Sequence, residues 1–336
     1  MITTGEACLP RRRLLQLAAL SGLGLLTGCR GPQAVLYASR GDIASAWTAS
    51  LPQGWTVKLV EDPTAVLAAR SRAQLLQLSD GWAGTLERAA LQPIGNPLLL
   101  QRLTPAAASV SRLFGSGGPA LAFPWAVSPW VLVLRNRPDL LPRADEGWDL
   151  LLDASLRQRL VLPSSPRVTM ALIGEDPTRL ARLRRAALAS DDRDGLNLLL
   201  TGKAEAVVVP RQRVVAVLRR DPRLQVMLPA GGAPLSWNLL LRPRQAREAP
   251  PLDWLAELLE PPLLPRALLA GWVPPLPRST LAAAVAGLPQ PLASLLVPPA
   301  AWTDRCFSLP PLAAAERRRL QQLWDASAPA PGQPGA

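Results

Sequence analysis

The chain has 336 residues, with 37 lysines and arginines against 25 aspartates and glutamates, and it contains no histidine. Its length accommodates two lobes, each with a core of its own. Without histidine the sequence supplies no Ser-His-Asp or Cys-His catalytic centre and no histidine-ligated zinc site. The net charge of +12 comes from arginines dispersed along the chain. No nucleic-acid-binding motif accompanies it, so we expect no nucleic acid partner.

The first 28 residues have the pattern of an export signal. Three arginines precede an apolar run from Leu14 to Leu26 that is too short to cross a ~30 Å hydrocarbon core. Arg11 and Arg12, followed by 14-Leu-Leu-Gln-16, resemble a twin-arginine export motif, and 26-Leu-Thr-Gly-Cys-29 resembles a bacterial lipobox. We therefore predict a signal peptide at 1–28, a lipidated Cys29 with a tether at 29–33, and a periplasmic protein anchored to a membrane.

The chain after the tether predicts alternating strands and helices. In chain order, the predicted strands cover 34–38, 56–60, 75–80, 120–123, 130–134, 160–162, 206–209 and 237–241. The predicted helices include 43–49, 178–189, 194–201 and 252–259. This alternation is typical of an α/β fold built in two places. Residues 327–336, rich in Ala, Pro and Gly, are expected to be disordered.

Cysteine usage excludes an internal disulfide in the mature chain. Cys8 lies in the predicted signal peptide and Cys29 would carry lipid, which leaves Cys306 alone. We expect Cys306 to be a small buried apolar residue.

Eight segments between residues 34 and 280 carry a common resemblance. They are 76–82, 91–94, 123–136, 148–151, 159–163, 200–208, 254–259 and 270–275. Taken in order, they resemble the spermidine/putrescine-type solute-binding proteins of ABC importers, which are periplasmic. The resemblance implies a two-lobed type II periplasmic-binding-protein fold with a ligand cleft between its lobes. It implies a first lobe of 34–124 with 235–287 and a second lobe of 125–234 with 288–326.

The resemblance also implies which side chains face the cleft. Asp80, Trp82, Trp125 and Trp237 stand at the corresponding positions. Acidic or aromatic ligand contacts, which hold a polyamine in that family, are replaced at three places. Arg40 follows the first strand, Arg211 follows the strand at 206–209, and Leu239 stands two residues after Trp237.

An anion-binding feature stands beside these positions. Ser165 and Arg167 follow one predicted strand and precede a predicted helix, where a hydroxyl and a guanidinium can hold an anion. Other interpretations stay open at this stage. The tryptophans can be core residues, the arginines a solvated rim, and Asp80 a helix cap.

The sequence thus predicts a substrate-binding protein without catalytic activity, metal or cofactor. Its expected partners are a small polar or charged solute, an ABC permease and a membrane, and we expect a monomer. A polyamine is favoured by the resemblance and an anion by the residues. The alternatives are a solute sensor or scaffold that does not transport, and an enzyme using Asp80 with arginines.

Overall fold

The computed structural model describes residues 33–94, 96–191 and 193–329. The predicted export signal with Arg11 and Arg12, and the predicted lipidation site Cys29, lie outside the described residues. Within the described part of the chain, no helix is both long enough and apolar enough to span a membrane.

The strands are numbered in chain order. They are β1 (Ala34–Ser39), β2 (Trp55–Val60), β3 (Leu75–Ser79), β4 (Leu91–Gln92), β5 (Ala122–Arg135), β6 (Leu160–Leu162), β7 (Ala189–Ser190), β8 (Ala206–Pro210), β9 (Leu224–Met227), β10 (Pro234–Pro243) and β11 (Phe307–Ser308).

The α-helices are mostly short and are numbered in the same way. They are α1 (Ser45–Thr48), α2 (Pro63–Ala68), α3 (Asp80–Ala83), α4 (Pro97–Gln101), α5 (Pro105–Ser111), α6 (Pro166–Ile173), α7 (Pro177–Ala186), α8 (Gly195–Leu200), α9 (Gln212–Leu218), α10 (Leu252–Glu257), α11 (Leu263–Leu269), α12 (Arg278–Val285), α13 (Gln290–Leu296), α14 (Ala300–Thr303) and α15 (Ala314–Ala326). Three 3₁₀ segments cover Arg88–Ala90, Leu141–Leu152 and Ala154–Leu156.

The strands of the described residues form one mixed sheet with the central order β2-β1-β3-β10-β5-β8-β6-β7. β1 pairs in parallel with β2 and β3, and β6 pairs in parallel with β7 and β8. Between these two parallel groups lie β10 and β5, which are antiparallel to each other and to their outer neighbours β3 and β8. The alternation of strands and helices predicted from the sequence is confirmed, and the antiparallel pair joins its two halves.

β5 is one continuous strand of 14 residues, whereas the sequence predicted two strands separated by 124–129. Pro124 and Pro129 lack an N–H donor and are rare inside strands, so continuity through them is not apparent from the local sequence. The sheet accommodates Pro124 at a bulge. Asn238 pairs with Ala126 and Leu239 with Pro124, so Trp125 has no partner across the strands.

Two separate cores cover different ends of this sheet. Buried residues of β1, β3, the start of β5, β10 and α10–α13 form the first core, and buried residues of the end of β5, β6, α6, α7 and α15 form the second. Side chains alternate along β5 in the second lobe, where Leu132 and Leu134 face the second core and Val131 and Val133 face a third apolar cluster under α8 and α9.

The chain changes core three times. Ala126 belongs to the first core and Trp130 to the second, and the return lies between Ala233 and Trp237. The third passage lies between Leu296 and Trp302, later than the expected boundary near Leu288. α13 lies before this passage, since its apolar side chains pack on the first core. Ser327, expected in a disordered tail, is 2% exposed and follows α15 directly.

Four tryptophans form an aromatic cluster at the centre of the first core. The rings of Trp47 and Trp254 are stacked with centroids 4.0 Å apart, and each Nε1–H donates to the other residue's backbone carbonyl at 2.9 Å. The ring centroid of Trp125 lies 5.2 Å from that of Trp47 and 4.8 Å from that of Trp272. Residues separated by more than 200 positions are thereby fixed against each other.

We expect Trp254→Ala to lower the free energy of unfolding by about 3–5 kcal/mol, because it empties a large buried volume and removes one indole hydrogen bond. Urea unfolding of the full chain measures the loss. The matched control is Trp82→Ala, since the Trp82 side chain is 38% exposed and lies outside the cluster. Equal losses in the two variants would contradict a stabilising role for the aromatic cluster.

Candidate functional site between the lobes

Asp80 lies where β3 ends and α3 begins, at the inner edge of the first lobe. Its Oδ1 accepts a hydrogen bond from the backbone N–H of Trp237 at 3.2 Å, which ties α3 to β10. Burial raises the pKa of the Asp80 carboxyl to about 7, although backbone hydrogen bonds and the nearby Arg167 oppose this rise. The carboxyl is therefore close to half-protonated at neutral pH.

Arg167 faces Asp80 from the second lobe. It is the second residue of α6 and is half-buried, and its guanidinium donates to the backbone carbonyl of Pro310. Burial lowers the pKa of the Arg167 guanidinium, while the electrostatic attraction of Asp80 raises it. An acid of one lobe and a base of the other thus lie close enough to attract each other electrostatically, just after the ends of β3 and β6. We call Asp80, Trp82, Arg167, Ser308 and Pro310 the interlobe site.

The three tryptophans predicted to face the cleft differ in exposure. Trp82 on α3 is 38% exposed, so its ring offers surface to a solute beside Asp80. Trp237 is 1% exposed and its Nε1–H donates to Ser308 Oγ at 2.9 Å. Trp125 is fully buried in the aromatic cluster. In this structure Trp125 and Trp237 are core residues, because the bulge and the β10 register turn both rings into the protein.

Ser165 and Arg40 occupy two different kinds of position. The Ser165 side chain caps α6 by accepting from the Val168 N–H at 3.4 Å. Arg40 is exposed in the turn after β1. Ser165 therefore lies near Arg167 at the start of α6, whereas Arg40 lies on the surface.

Arg211 has a structural role that the sequence did not indicate. It is 3% exposed, and its guanidinium donates to the carbonyls of Val127, Leu295 and Leu296 at 3.0–3.3 Å. Burial lowers the pKa of the Arg211 guanidinium to about 10. Arg211 joins the middle of β5 to the end of α13 at the passage between the lobes, with both terminal nitrogens of its guanidinium bonded to protein carbonyls.

The segment that follows Cys306 contributes to the site without a local signal in the sequence. Ser308 and Pro310 reach the interlobe site from the C-terminal part of the chain and contact Trp237 and Arg167. The adjacent prolines 310 and 311 are a signal for an extended backbone, but no local pattern indicates what such a segment contacts.

Three features of the described residues concern other kinds of site: a metal centre, a surface hollow and a reactive thiol. No group of three or more Cys, Asp or Glu among them is placed to hold a metal ion. Two hollows of about 110 and 460 Å³ lie on the first lobe between α1 and α11, and neither is lined by Asp80 or Arg167. Cys306 is half-buried, and burial raises the pKa of its thiol.

The raised pKa of Asp80 predicts a pH-dependent stability. The folded protein keeps the Asp80 proton at pH values where the unfolded chain has lost it, so the free energy of unfolding falls as pH rises from about 4 to about 7. Asn cannot ionise and keeps an oxygen for the Trp237 N–H. We expect Asp80→Asn to gain stability relative to the parent over this range, as measured by urea unfolding.

Asp62 provides the control of opposite sign, because hydrogen bonds from Thr64 and Ala65 lower its pKa. Asp62→Asn should lose stability relative to the parent as pH rises through the acidic range. If the Asp80→Asn and parent curves ran parallel from about pH 4 to about pH 8, Asp80 would have an ordinary pKa.

Comparison with known proteins gives a likeness in fold. No protein-family model matches the chain, and no curated protein matches it by sequence. Among solved structures, the spermidine/putrescine ABC transporter substrate-binding protein PotD from Streptococcus pneumoniae superposes with a TM-score of 0.68 at 13% identity. The match covers 88% of this chain and 98% of that protein.

Two further structures have the same likeness. The TpPotD lipoprotein of Treponema pallidum gives a TM-score of 0.64 at 14% identity, covering 88% of this chain and 99% of its own. A periplasmic thiamin-binding protein gives 0.62 at 14% identity, covering 88% and 96%. Identities this low establish the fold alone. With its two cores joined by β5 and β10, the chain has the two-lobed α/β fold of the periplasmic binding proteins.

Proposed function

We propose that this chain is the lipid-anchored substrate-binding protein of an ABC importer, and that it captures a small polar or charged solute between its lobes. The observation that carries the proposal is the electrostatic attraction between Asp80 of one lobe and Arg167 of the other, beside the exposed ring of Trp82. Groups of opposite charge on two lobes can hold a charged solute and draw the lobes together around it.

The fold supports the same proposal. The solved structures that share it include, by their names, a spermidine/putrescine ABC transporter substrate-binding protein, a periplasmic thiamin-binding protein and iron-bound HitA from Pseudomonas aeruginosa. For this chain we propose capture and delivery to a permease, with no catalytic step. The histidine-free sequence is consistent with this proposal.

Two solute classes compete for the site. A polyamine follows from the resemblance in sequence, and it would use the Asp80 carboxylate and the Trp82 ring. An anion would use Arg167, whose guanidinium donates to the neutral backbone carbonyl of Pro310. A charged oxygen binds a guanidinium about twice as strongly as a neutral one. This difference in strength supports an anion as the second candidate solute, after a polyamine.

The first test is a thermal-shift screen of the full chain with spermidine, putrescine, thiamin, inorganic phosphate and small carboxylates. A solute at 100 times its Kd adds about 2.7 kcal/mol to the free energy of unfolding. Stabilisation by the cations alone would assign a polyamine-like solute, and stabilisation by the anions alone would assign Arg167 to the ligand. No stabilisation by any of these solutes would favour a sensor or scaffold that does not transport.

If the stabilising solute is a cation, Trp82→Ala should weaken its binding about five- to thirtyfold, because it removes a ring face worth about 1–2 kcal/mol beside Asp80. Isothermal titration calorimetry measures this change in Kd. The matched control is Trp324→Ala, whose ring lies on α15 under the Arg184 guanidinium at 4.0 Å, in the second lobe. Unchanged affinity in Trp82→Ala would remove Trp82 from the binding surface.

The proposed anchor has an independent test. Cys29→Ser removes the thiol that would be acylated, so the protein should move from the detergent phase to the aqueous phase on phase separation. Cys8→Ser is the matched control and should leave the partition unchanged, because Cys8 lies in the predicted signal peptide. An equal distribution of Cys29→Ser and the parent would contradict lipidation at Cys29.

A further inference from the structure

The segment from Phe307 to Leu312 connects α14 with α15 and contacts both lobes. It begins with β11, which pairs in parallel with Pro234 and Leu235 of β10, and the Phe307 N–H donates to the Ala233 carbonyl at 3.1 Å. We call residues 307–312 the strap. Its course takes it from the junction of the lobes across the interlobe site.

The strap contacts the first lobe at two places. Ser308 Oγ accepts the hydrogen bond from Trp237 Nε1 at 2.9 Å. Pro311 packs on the end of α3, where a Cβ added to Gly84 would come within 3.2 Å of Pro311 Cγ. The space beside the Gly84 backbone is thus filled by the Pro311 ring, and the strap lies against the end of α3.

The strap is also held by the second lobe. Arg167 of α6 donates to the Pro310 carbonyl, and the side chains of Leu309 and Leu312 pack against the second core. The chain then enters α15, whose Leu320 is buried in that core. The strap is therefore attached to the second lobe at its C-terminal end while Ser308 and Pro311 contact the first lobe.

Separation of the lobes has to break these contacts. Moving α3 away from α6 breaks the Pro311 contact with Gly84 or the bond from Arg167 to the strap. Two consecutive prolines fix the backbone φ angle and reduce the conformational entropy lost when the strap is ordered. Elsewhere along the lobe junction, Arg193 of the second lobe donates to the Glu61 carbonyl of the first at 2.8 Å.

We propose that the strap is a latch that holds the two lobes closed in the absence of a solute. The latch needs no ligand, because all of its contacts are supplied by the chain itself. It goes beyond the proposed function, since it concerns the solute-free protein, and it stands whether the solute is a cation or an anion.

The test measures the distance between the lobes in the full chain. Spin labels are placed on Ala68→Cys of α2 and Asn197→Cys of α8, which are exposed residues of different lobes. The native cysteines are replaced by serine, and co-purified solute is removed by dialysis in urea followed by refolding. Pulsed electron paramagnetic resonance then gives the distribution of interlobe distances.

The strap variant combines Ser308→Ala with Pro311→Ala. Loss of one hydrogen bond and one packing contact should raise the population with the longer distance about fivefold or more. The parent should show mainly the short distance. Arg167→Gln should lengthen the distance as well, because it frees the Pro310 carbonyl.

The matched control is Arg305→Gln. Arg305 donates to the Ala230 carbonyl at 2.7 Å, an arginine-to-carbonyl bond made within the second lobe. Its distance distribution should equal that of the parent. Pro311→Ala alone gives an independent variant if the strap variant fails to fold, since it removes the ring that packs on Gly84 and leaves the Ser308 hydrogen bond in place.

Three results would overturn the latch. They are a parent that is already open without solute, a strap variant (or Pro311→Ala in its place) with the parent distribution, and an Arg305→Gln variant that opens as far as the strap variant. None of these results bears on solute binding, which the thermal-shift screen tests separately. A protein that binds solute but is open without it would therefore refute the latch and leave the proposed function standing.

Discussion

The antiparallel pairing of β5 with β10 is the interaction on which the rest of this structure depends. Both strands lie between the parallel group of the first lobe and that of the second, so the two halves of the fold share one hydrogen-bonded centre. β5 changes core between Ala126 and Trp130, and the bulge at Trp125 directs that ring into the tryptophan cluster. Arg211 reinforces the same passage by binding the Val127 carbonyl and the end of α13. A buried guanidinium held by carbonyls fixes this geometry at the cost of desolvating a charge.

The interlobe site follows from that topology. β3 pairs with β10, and β6 pairs with β8 beside β5, so the residues after β3 and β6 lie on either side of the central pair. Asp80 and Arg167 occupy these two positions. Burial raises the pKa of the Asp80 carboxyl and lowers the pKa of the Arg167 guanidinium. The strap contacts the elements on both sides of this site, α3 and α6. Its contacts with Trp237, Gly84 and Arg167 place the C-terminal part of the chain at the site where we propose that the solute binds.

The sequence predicted much of the fold because its signals are local. Apolar runs at β1, β3, β6 and β8, each followed by turn or helix-start residues, indicate an α/β alternation without tertiary information. The continuity of β5 could not be predicted, since its prolines are tolerated only through the pairing with β10. For the candidate site, Asp80, Trp82 and Arg167 were found from strand ends and from the family resemblance. Three other features depend on residues far along the chain, which a local pattern does not contain. They are the burial of Trp125 and Trp237, the hydrogen bonds of Arg211 to carbonyls, and the position of the strap.

Hydrogen exchange of the full chain, with and without the solute that stabilises it most, tests the central claim most directly. The account predicts that amides of 80–84 in the first lobe and 165–168 in the second lobe slow together when the solute binds. Amides at 44–50 and 257–266, beside the hollows of the first lobe, should exchange at the same rate in both conditions. Protection confined to one lobe, or centred on the hollows between α1 and α11, would contradict a solute site between Asp80 and Arg167.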